Sequence, residues 1–230
     1  MSTLISYDAP MSTVSTRPSR KPKSRYHHGD LRRALLDEAV RIIAREGVGD
    51  LTLREVGSRL GVSRTALYRH FSDKSALLAA VARQGFQRFA ADLRQAWSEG
   101  PGTRQGFERM GVAYVRFALT NPSHYRVMFG DFRSLCAKDP ELETDAAASF
   151  QVLVQALISL QESGDITPDE PVRLAHYVWA IVHGIAMLAI DGQLGPDPSA
   201  SAQVSALMDF ALLRMRTGIG AAAETTPERS

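Results

Sequence analysis

The chain has 230 residues, 44% of them hydrophobic, which is enough for one small and one larger globular domain. Its one cysteine, Cys136, excludes a disulfide framework and a cysteine-based metal site within the chain and is typical of a reducing cytoplasm. The net charge of +2 hides an asymmetry, because residues 17–75 hold 14 Lys and Arg against 7 Asp and Glu, whereas residues 76–230 hold 13 against 17. The basic N-terminal third therefore predicts a polyanionic partner, and nucleic acid is favoured over a membrane surface because no basic helix there shows an exposed apolar face.

The first predicted element is a disordered, basic arm over residues 1–28, where Ser, Thr, Pro and basic residues follow one another without hydrophobic periodicity. Asp30 can cap a helix that runs to about Glu46 and is stopped by Gly47. Leu31 and Leu35 begin the apolar face of this helix.

Residues 52–74 have the pattern of two short helices joined by a tight turn. Thr52 and Glu55 have the spacing of a capping box, in which each side chain binds a free backbone N–H at the helix start. Gly61 can take positive φ where that helix ends, and Ser63 can cap the next one. The spacing predicts a helix-turn-helix.

The second of these helices has an apolar side and a polar side. Leu67 points inward, while guanidinium, hydroxyl and phenol groups occupy the opposite side at Arg64, Thr65, Tyr68 and Arg69. Such a face on a helix held by a short turn suits the major groove of DNA. An ordinary helical corner with a solvated face would look similar, but the basic charge of this region favours DNA.

The remainder of the chain is also predicted to be helical. Ser72 is expected to cap a long helix from Asp73 to about Trp97, and Pro168 to lie in the first turn of a helix over 168–192. Other helices are predicted at about 104–120, around 125–129, at 140–163 and at 198–216. No stretch alternates like a strand, so the prediction is an all-α fold of about nine helices. Its parts are a DNA-binding domain over 29–76, a ligand-binding and dimerisation domain over 77–217 and a disordered tail over 218–230.

Four runs of residues recur together near the helix-turn-helix: Leu-Arg-Glu-Val at 53–56, Gly-Val-Ser at 61–63, Ala-Leu-Tyr-Arg-His-Phe at 66–71 and Asp-Lys-Ser-Ala-Leu at 73–77. With them, residues 26–81 resemble the DNA-binding domain of the tetracycline-repressor (TetR) family of bacterial transcriptional regulators. Trp179-x-x-x-His183-Gly184 and the run at 26–32 are similar to a subgroup with a Trp-His-Gly signature in its ligand-binding domain. The resemblance implies a homodimeric repressor that a small molecule releases from a pseudo-palindromic operator.

Roles on DNA can be assigned by side-chain chemistry. Arg64, Thr65 and Tyr68 are predicted to read bases, since Arg pairs bidentately with guanine and a Thr methyl packs on thymine. Contacts to phosphates are predicted for Arg25, Thr52, Ser63, Arg69, His70 and Lys74. Lys74 is included because a helix start disfavours a cation unless an anion is near. For Arg54 and Arg59, surface ion pairs are the preferred interpretation.

Aromatic and soft side chains, Phe132 among them, recur through the second half of the chain. Trp179, His183 and Met187 lie four residues apart and share one helical face, which could line a pocket for a mostly apolar ligand with one polar group. Buried core is the alternative for each of them. The pocket is predicted to contain Tyr114, Phe117, Tyr125, Met128, Phe129, Phe150, Trp179, His183 and Met187. His176 and His183 lack a third ligand at a suitable spacing, so neither a metal nor another cofactor is predicted.

The last predicted helix carries an unbroken apolar stripe. Its members are Val204, Leu207, Met208, Ala211, Leu212 and Met215. With the apolar helix before it, this stripe predicts a four-helix bundle between two chains, and a bundle inside one chain is the alternative. No nucleophile elbow, phosphate loop or zinc-protease motif is present, so no enzyme is predicted. An activator, or a regulator that responds to a protein partner, would use the same DNA-binding chemistry.

Overall fold

The computed structural model describes residues 28–195 and 202–219, and every regular element in that part of the chain is a helix. The described helices are α1 (His28–Glu46), α2 (Leu53–Arg59), α3 (Arg64–Tyr68), α4 (Lys74–Ser98), α5 (Arg104–Thr120), α6 (Pro122–Met128), α7 (Phe132–Cys136), α8 (Glu141–Glu162), α9 (Pro171–Ile190) and α10 (Ala202–Ile219). The all-α prediction is confirmed. The predicted arm, with Arg25, and the predicted tail lie outside the described residues, except that His28 begins α1 and residues 218–219 end α10.

One described helix, α7, was not predicted from the sequence. It has five residues, and the side chain of Asp131 at its N-terminus forms no capping hydrogen bond. Gly130 precedes it and Pro140 follows closely, so the local pattern resembles a loop. Packing against α4 and α8 accounts for this short helix better than local propensity does.

The start of α4 differs from the prediction. Asp73 rather than Ser72 is the cap, and its carboxylate accepts a hydrogen bond from the backbone N–H of Ala76 at 2.9 Å. A carboxylate is the stronger acceptor and complements the positive end of the helix dipole.

The start of α9 was predicted too early. Pro171, not Pro168, occupies the first turn, where its missing N–H costs nothing. Glu170 caps the helix, and its carboxylate oxygens accept from the backbone N–H groups of Val172 at 3.0 Å and Arg173 at 2.6 Å.

The three N-terminal helices close around a small core. α1 packs against α2, and α2 against α3, around Leu35, Ile42 and Val56, none of which is exposed. Gly57 lies where α2 meets α3, since a Cβ at this position would be 3.0 Å from Leu67 Cδ1. Gly61 has φ +63°, the positive value that the turn prediction required.

The long helix α4 joins this core to the larger part of the molecule. It contacts α1 on one side and α5, α6, α7 and α8 on the other. Gly85 brings α6 unusually close, because a Cβ there would be 2.5 Å from Met128 Sδ. Any change in the packing of the larger part therefore has a direct route to α4.

The apolar helix α9 packs on the larger part with one side and is exposed on the other. By length and composition alone it could cross a membrane, but it packs against α5, α8 and α10. These contacts bury one side of α9, whereas the sequence predicted a helix buried nearly all round, and Tyr177 and Leu188 stay exposed.

Candidate DNA interface and ligand cavity

The caps of the helix-turn-helix are as predicted, with one difference. The hydroxyl of Thr52 accepts from the N–H of Glu55, and that of Ser63 from the N–H of Ala66, each at 3.2 Å. Glu55 does not complete a capping box. Its carboxylate accepts from Arg59 at 2.6 Å instead, because a charged donor one turn away is the stronger partner.

The side of α3 that faces away from the core is accessible. Arg64, Thr65, Tyr68 and Arg69 are exposed, whereas Leu67 on the opposite side is buried. The guanidinium of Arg64 lies 5.4 Å from the centre of the Tyr68 ring. This contact orients both groups on the outer face without engaging the guanidinium N–H donors in an ion pair.

Not every predicted phosphate contact is equally free. Thr52 and Ser63 are exposed, and each hydroxyl accepts a hydrogen bond in a helix cap while its own O–H stays available to donate to a phosphate. Lys74 donates from Nζ to the carbonyl oxygen of Gly49 at 2.6 Å. A backbone carbonyl thus explains the cation at this helix start without a phosphate. His70 is half-buried beside them.

The ion pairs of this region separate the arginines into two groups. Arg59 binds Glu55 and Glu46, and the hydrogen bonds that it donates to these two carboxylates raise its pKa. The prediction of ion pairs is therefore confirmed for Arg59. Arg64 and Arg69 form no salt bridge with any residue that the structure describes. Arg54, for which ion pairs were also predicted, forms none with the described residues, and neither do Arg32 and Arg45, so the uncompensated positive charge lies on α1 and α2 as well as on α3.

The larger part encloses a cavity of about 770 Å³. It lies between α4, α5, α6, α8 and α9, and α7 and α10 contribute single side chains. Its lining is Phe86, Phe89, Leu93, Phe107, Met110, Gly111, Tyr114, Met128, Phe129, Phe132, Glu143, Ala146, Ala147, Ser149, Phe150, Leu153, His176, Val178, Trp179, Ala180, Val182, His183 and Leu212. A concave, mostly apolar space with a few polar groups is the usual form of a small-molecule site.

Six of the predicted pocket residues line this cavity and three do not. The six are Tyr114, Met128, Phe129, Phe150, Trp179 and His183. Phe117 is instead buried core, with its ring 5.1 Å from that of Phe89. Tyr125 is fully buried behind His183, to which its hydroxyl is bonded. Met187 lies one turn farther along α9 and packs against the core.

Three polar side chains of the cavity wall, those of Tyr114, Trp179 and His183, form a connected cluster with the buried Tyr125. Trp179 Nε1 donates to the hydroxyl oxygen of Tyr114 at 3.0 Å. The hydroxyls of Tyr114 and Tyr125 are 2.9 Å apart, and His183 Nδ1 lies 2.7 Å from the Tyr125 hydroxyl and 3.3 Å from that of Tyr114. We call these four residues the polar relay.

Burial keeps the polar relay uncharged. Desolvation lowers the pKa of His183 and raises the pKa of both Tyr114 and Tyr125 above the ordinary value for a phenol. At neutral pH, the relay therefore consists of a neutral imidazole and two neutral phenols. It can exchange hydrogen bonds with a ligand but offers no charge.

Sequence reasoning missed the contribution of α4 and much of that of α5. Phe86, Phe89 and Leu93 share one face of α4, and Phe107 and Met110 precede Tyr114 on one face of α5. Both stripes are visible in the sequence. Helical spacing marks a buried face but does not distinguish a filled core from the wall of a cavity.

The predicted dimer stripe on α10 needs a correction. Val204, Met208 and Ala211 are buried within the single chain, where α10 packs on α5 and α9. Leu207 and Leu212 are half-buried, and Leu212 also lines the cavity. The structure does not describe the side chain of Met215. Most of the described stripe is thus covered by the chain's own helices.

Metal ligands are not grouped in the described part of the molecule. No set of three His, Cys, Asp or Glu side chains there could hold a metal ion. His176 is exposed and its ring packs at a tilt against that of Phe150, with ring centres 4.9 Å apart.

Two family models match the chain. Residues 35–81 match the model described as bacterial regulatory proteins, tetR family, and residues 107–211 match the model described as tetracyclin repressor-like, C-terminal domain. The first covers the helix-turn-helix and the second most of the helices around the cavity.

Curated relatives match over different lengths. The HTH-type transcriptional activator FasR of Mycolicibacterium smegmatis is 25% identical over 187 residues, which cover 78% of this chain and 81% of that protein. The HTH-type transcriptional repressor Rv1474c of Mycobacterium tuberculosis is 42% identical over 65 residues, which cover 28% of this chain and 35% of that protein. The chain therefore matches about a third of that repressor's length.

Solved structures share the whole fold. A protein of unknown function from Rhodococcus sp. RHA1 is 33% identical with a TM-score of 0.75, covering 86% of this chain and 100% of that one. A regulatory protein of the tetR family from Rhodococcus RHA1 is 21% identical with a TM-score of 0.66, covering 84% and 98% of the two chains.

Proposed function

Because the chain belongs to the TetR family of transcriptional regulators, we propose that it is a homodimeric repressor released from a pseudo-palindromic operator by a small, largely apolar effector. The observation that carries the proposal is the 770 Å³ cavity, which lies in the larger part of the chain and has walls from α4 and α6. Both of these helices also contact α1 in the DNA-binding part.

DNA recognition is assigned to the exposed side of α3. Arg64, Thr65 and Tyr68 read base edges, and Arg69 and His70 bind phosphates beside them. The exposure of this side and the free charge of Arg64 and Arg69 support the assignment. Thr52 and Ser63 donate their free O–H groups to phosphates, whereas Lys74 contributes less because its ammonium already donates to the carbonyl of Gly49.

Effector binding reaches the DNA-binding part through α6 and α4. Met128 and Phe129 line the cavity at the end of α6, and Met128 also packs against Gly85 of α4. At the other end of α6, His124 bonds to Gln84 of α4 at 3.0 Å, through Nε2 and Oε1. A ligand that pushes on Met128 therefore shifts α6 and α4 together.

The proposed consequence is a change in the distance between two recognition helices. In a dimer these helices enter successive major grooves only if they lie about 34–36 Å apart, or a multiple of it. A tilt of α4 that alters this spacing weakens both half-site contacts at once. The ligand and the operator then oppose each other by equal factors.

A second copy of the chain is proposed to cover the outer side of α9 and α10. Tyr177 on α9 is 50% exposed, Leu188 on the same helix 40%, and Phe210 on α10 54%. Several large, exposed apolar side chains on adjacent helices are typical of a protein–protein interface. This face replaces the predicted stripe, whose buried members already pack within the chain.

Activation is the second candidate, because FasR, a relative over most of the chain, is an activator. The position of the operator relative to the promoter decides between the two. We further propose a cytoplasmic location, where the DNA is. Assignment to the Trp-His-Gly subgroup stays a prediction.

The first experiment is to sequence genomic fragments retained by the purified full-length chain. A two-fold symmetric site shared by these fragments is the expected result. Its duplex is then titrated with the protein while the stoichiometry is measured. Fragments with no common sequence, or one chain bound per site, would contradict a dimeric, sequence-specific regulator.

A further inference from the structure

The polar relay has a direction that is fixed by its donors. The indole N–H of Trp179 can only donate, so the hydroxyl oxygen of Tyr114 accepts at that end. The remaining contacts join the Tyr114 and Tyr125 hydroxyls and His183 Nδ1. The tautomer of His183 determines which of these three atoms is the final hydrogen-bond acceptor.

The number of O–H and N–H donors in the relay distinguishes the two tautomers of His183. If Nδ1 carried a proton it could not accept, and the two hydroxyls would have to donate to each other. Only one of the two hydroxyls can donate along the contact between them. The other O–H would have no acceptor among the described groups, which is costly for a buried phenol. If Nδ1 is unprotonated, Tyr114 donates to Tyr125 and Tyr125 donates to Nδ1, so both hydroxyls have an acceptor and the one donor left over is Nε2–H, on the ring that lines the cavity.

His183 is therefore neutral with its proton on Nε2. Its ring lines the cavity, and Nε2 forms no hydrogen bond with any residue in the described part of the chain. The relay thus presents one N–H donor to a mostly apolar space, whose other polar side chains are those of Glu143, Ser149 and His176.

The charged groups around the cavity add a second constraint. The lining contains neither Lys nor Arg, and its only carboxylate, that of Glu143, lies on an exposed side chain of α8. An anionic head group would have no cation to neutralise it inside and would meet a negative charge at the rim. Desolvating an unpaired carboxylate is costly.

We infer that the cavity selects an uncharged lipophilic molecule with a hydrogen-bond acceptor, such as a ketone or ester carbonyl, which binds His183 Nε2–H, and that it discriminates against carboxylic acids of the same size. The inference rests on the proposed function only in taking the cavity to be the effector site.

The tautomer can be observed directly. Two-bond ¹H–¹⁵N correlation spectra of the full-length chain, with His183 assigned through its backbone resonances, distinguish Nε2–H from Nδ1–H and from the imidazolium. We expect the Nε2–H pattern at pH 7. Either of the other two patterns would overturn the inference, and no variant is needed.

Ligand selection is tested with matched probes: 2-nonanone, nonane, nonanoate and nonyltrimethylammonium, each followed by Trp179 fluorescence in a Trp97→Phe background. The ketone should bind about five- to a hundredfold more tightly than the alkane, as one hydrogen bond in a dry site allows. Nonanoate should bind more weakly than the ketone. Tighter binding of the carboxylate or the ammonium would overturn the proposal, the ammonium by pointing to Glu143 instead.

Two histidine variants locate the effect. His183→Phe should reduce the affinity for 2-nonanone to that for nonane, while His176→Phe, the same change on the same helix and in the same lining, should keep the ratio. An unchanged ratio in His183→Phe would contradict the assignment.

These titrations contain no DNA. If the ketone binds more tightly than the alkane but does not release the protein from its operator, the inference stands and the proposed effector release is wrong. If ketone and alkane bind equally, the inference is overturned, even if another compound releases the operator.

Discussion

The two parts of the chain use their aromatic side chains differently. Phe71 in the DNA-binding part is 3% exposed and helps to close the small core. In the larger part, Phe129, Phe132 and Phe150 are only partly buried and stand around a cavity of about 770 Å³. One region fills its interior and puts its chemistry on the outside, on α3. The other leaves its interior open and keeps its polar groups within.

This difference suggests how stability and function are divided. A closely packed small domain presents α3 in one orientation, which base recognition needs. A domain with an open interior gives up packing contacts that a ligand can restore, so ligand binding can shift its conformation. Substitutions in the two regions should therefore have different signatures, and even within the larger region core and cavity residues should separate.

The largest expected effect distinguishes core from cavity. Phe117→Ala should lower the free energy of unfolding by about 3–5 kcal/mol, because this side chain is 2% exposed and fills space between helices. Phe150→Ala, a matched change at the cavity wall, should cost much less, since its ring already borders open space. Urea unfolding measures both. Equal losses would mean that the cavity wall is as closely packed as the core.

The next effect concerns the proposed dimer face. Phe210→Glu should weaken dimerisation by about 2 kcal/mol or more, because a charge would replace an aromatic side chain that is 54% exposed in the single chain. Val112→Glu is the control, an equally exposed apolar position on α5 at 47%. Analytical ultracentrifugation compares them. A Phe210→Glu protein that dimerises like the control would move the interface elsewhere.

DNA specificity should respond by a smaller amount. Arg64→Ala is expected to lower discrimination between operator and scrambled duplex by about 1–3 kcal/mol, the range for one bidentate base contact. His70→Ala should weaken binding to both duplexes alike, and Arg116→Ala, an exposed arginine on α5, should change neither. The measurement is a binding titration at several salt concentrations. Equal loss on both duplexes in Arg64→Ala would reassign this side chain to phosphate.

The smallest effect is a pH dependence of stability in the larger region. Burial, and secondarily the charge of Arg88, lower the pKa of His124 to about 4 from an ordinary value of 6.5. Between these values the unfolded chain binds a proton that the folded chain does not, so stability falls as the pH is lowered. We expect a loss on the order of 1–2 kcal/mol from pH 7 to pH 5.

Urea unfolding of wild type and His124→Asn at both pH values isolates this contribution. The variant should lose most of the slope. A remainder of the same sign is expected from His183, whose pKa is also lowered by burial. An identical slope in the two proteins would show that His124 is protonated without cost in the folded chain.

The helix-turn-helix could be predicted in detail because its determinants are local. Thr52, Gly61 and Ser63 each act within a few residues of their own position, and each does what its chemistry predicts. In two places, neighbouring groups competed for the same partner or the same role. Asp73 displaced Ser72 as a cap, and Glu55 took Arg59 as its partner.

The cavity could be predicted only in part because it depends on distant contacts. The spacing of Trp179 and His183 identified one wall, but Met187, on the same face, packs away from it. The stripe on α10 was a correct sign of burial, while the surface that covers it belongs to the same chain. Periodicity indicates that a face is buried and says nothing about what lies against it.

The central claim is that occupation of the cavity and occupation of the operator oppose each other. The direct test is to titrate a compound that fills the cavity, starting with 2-nonanone, into the Trp97→Phe protein while following Trp179, with and without saturating operator duplex. We expect the operator to raise the dissociation constant of the compound several-fold to about a hundredfold, equivalent to about 1–3 kcal/mol of coupling. A dissociation constant that is the same with and without operator would contradict it, however tightly the compound binds.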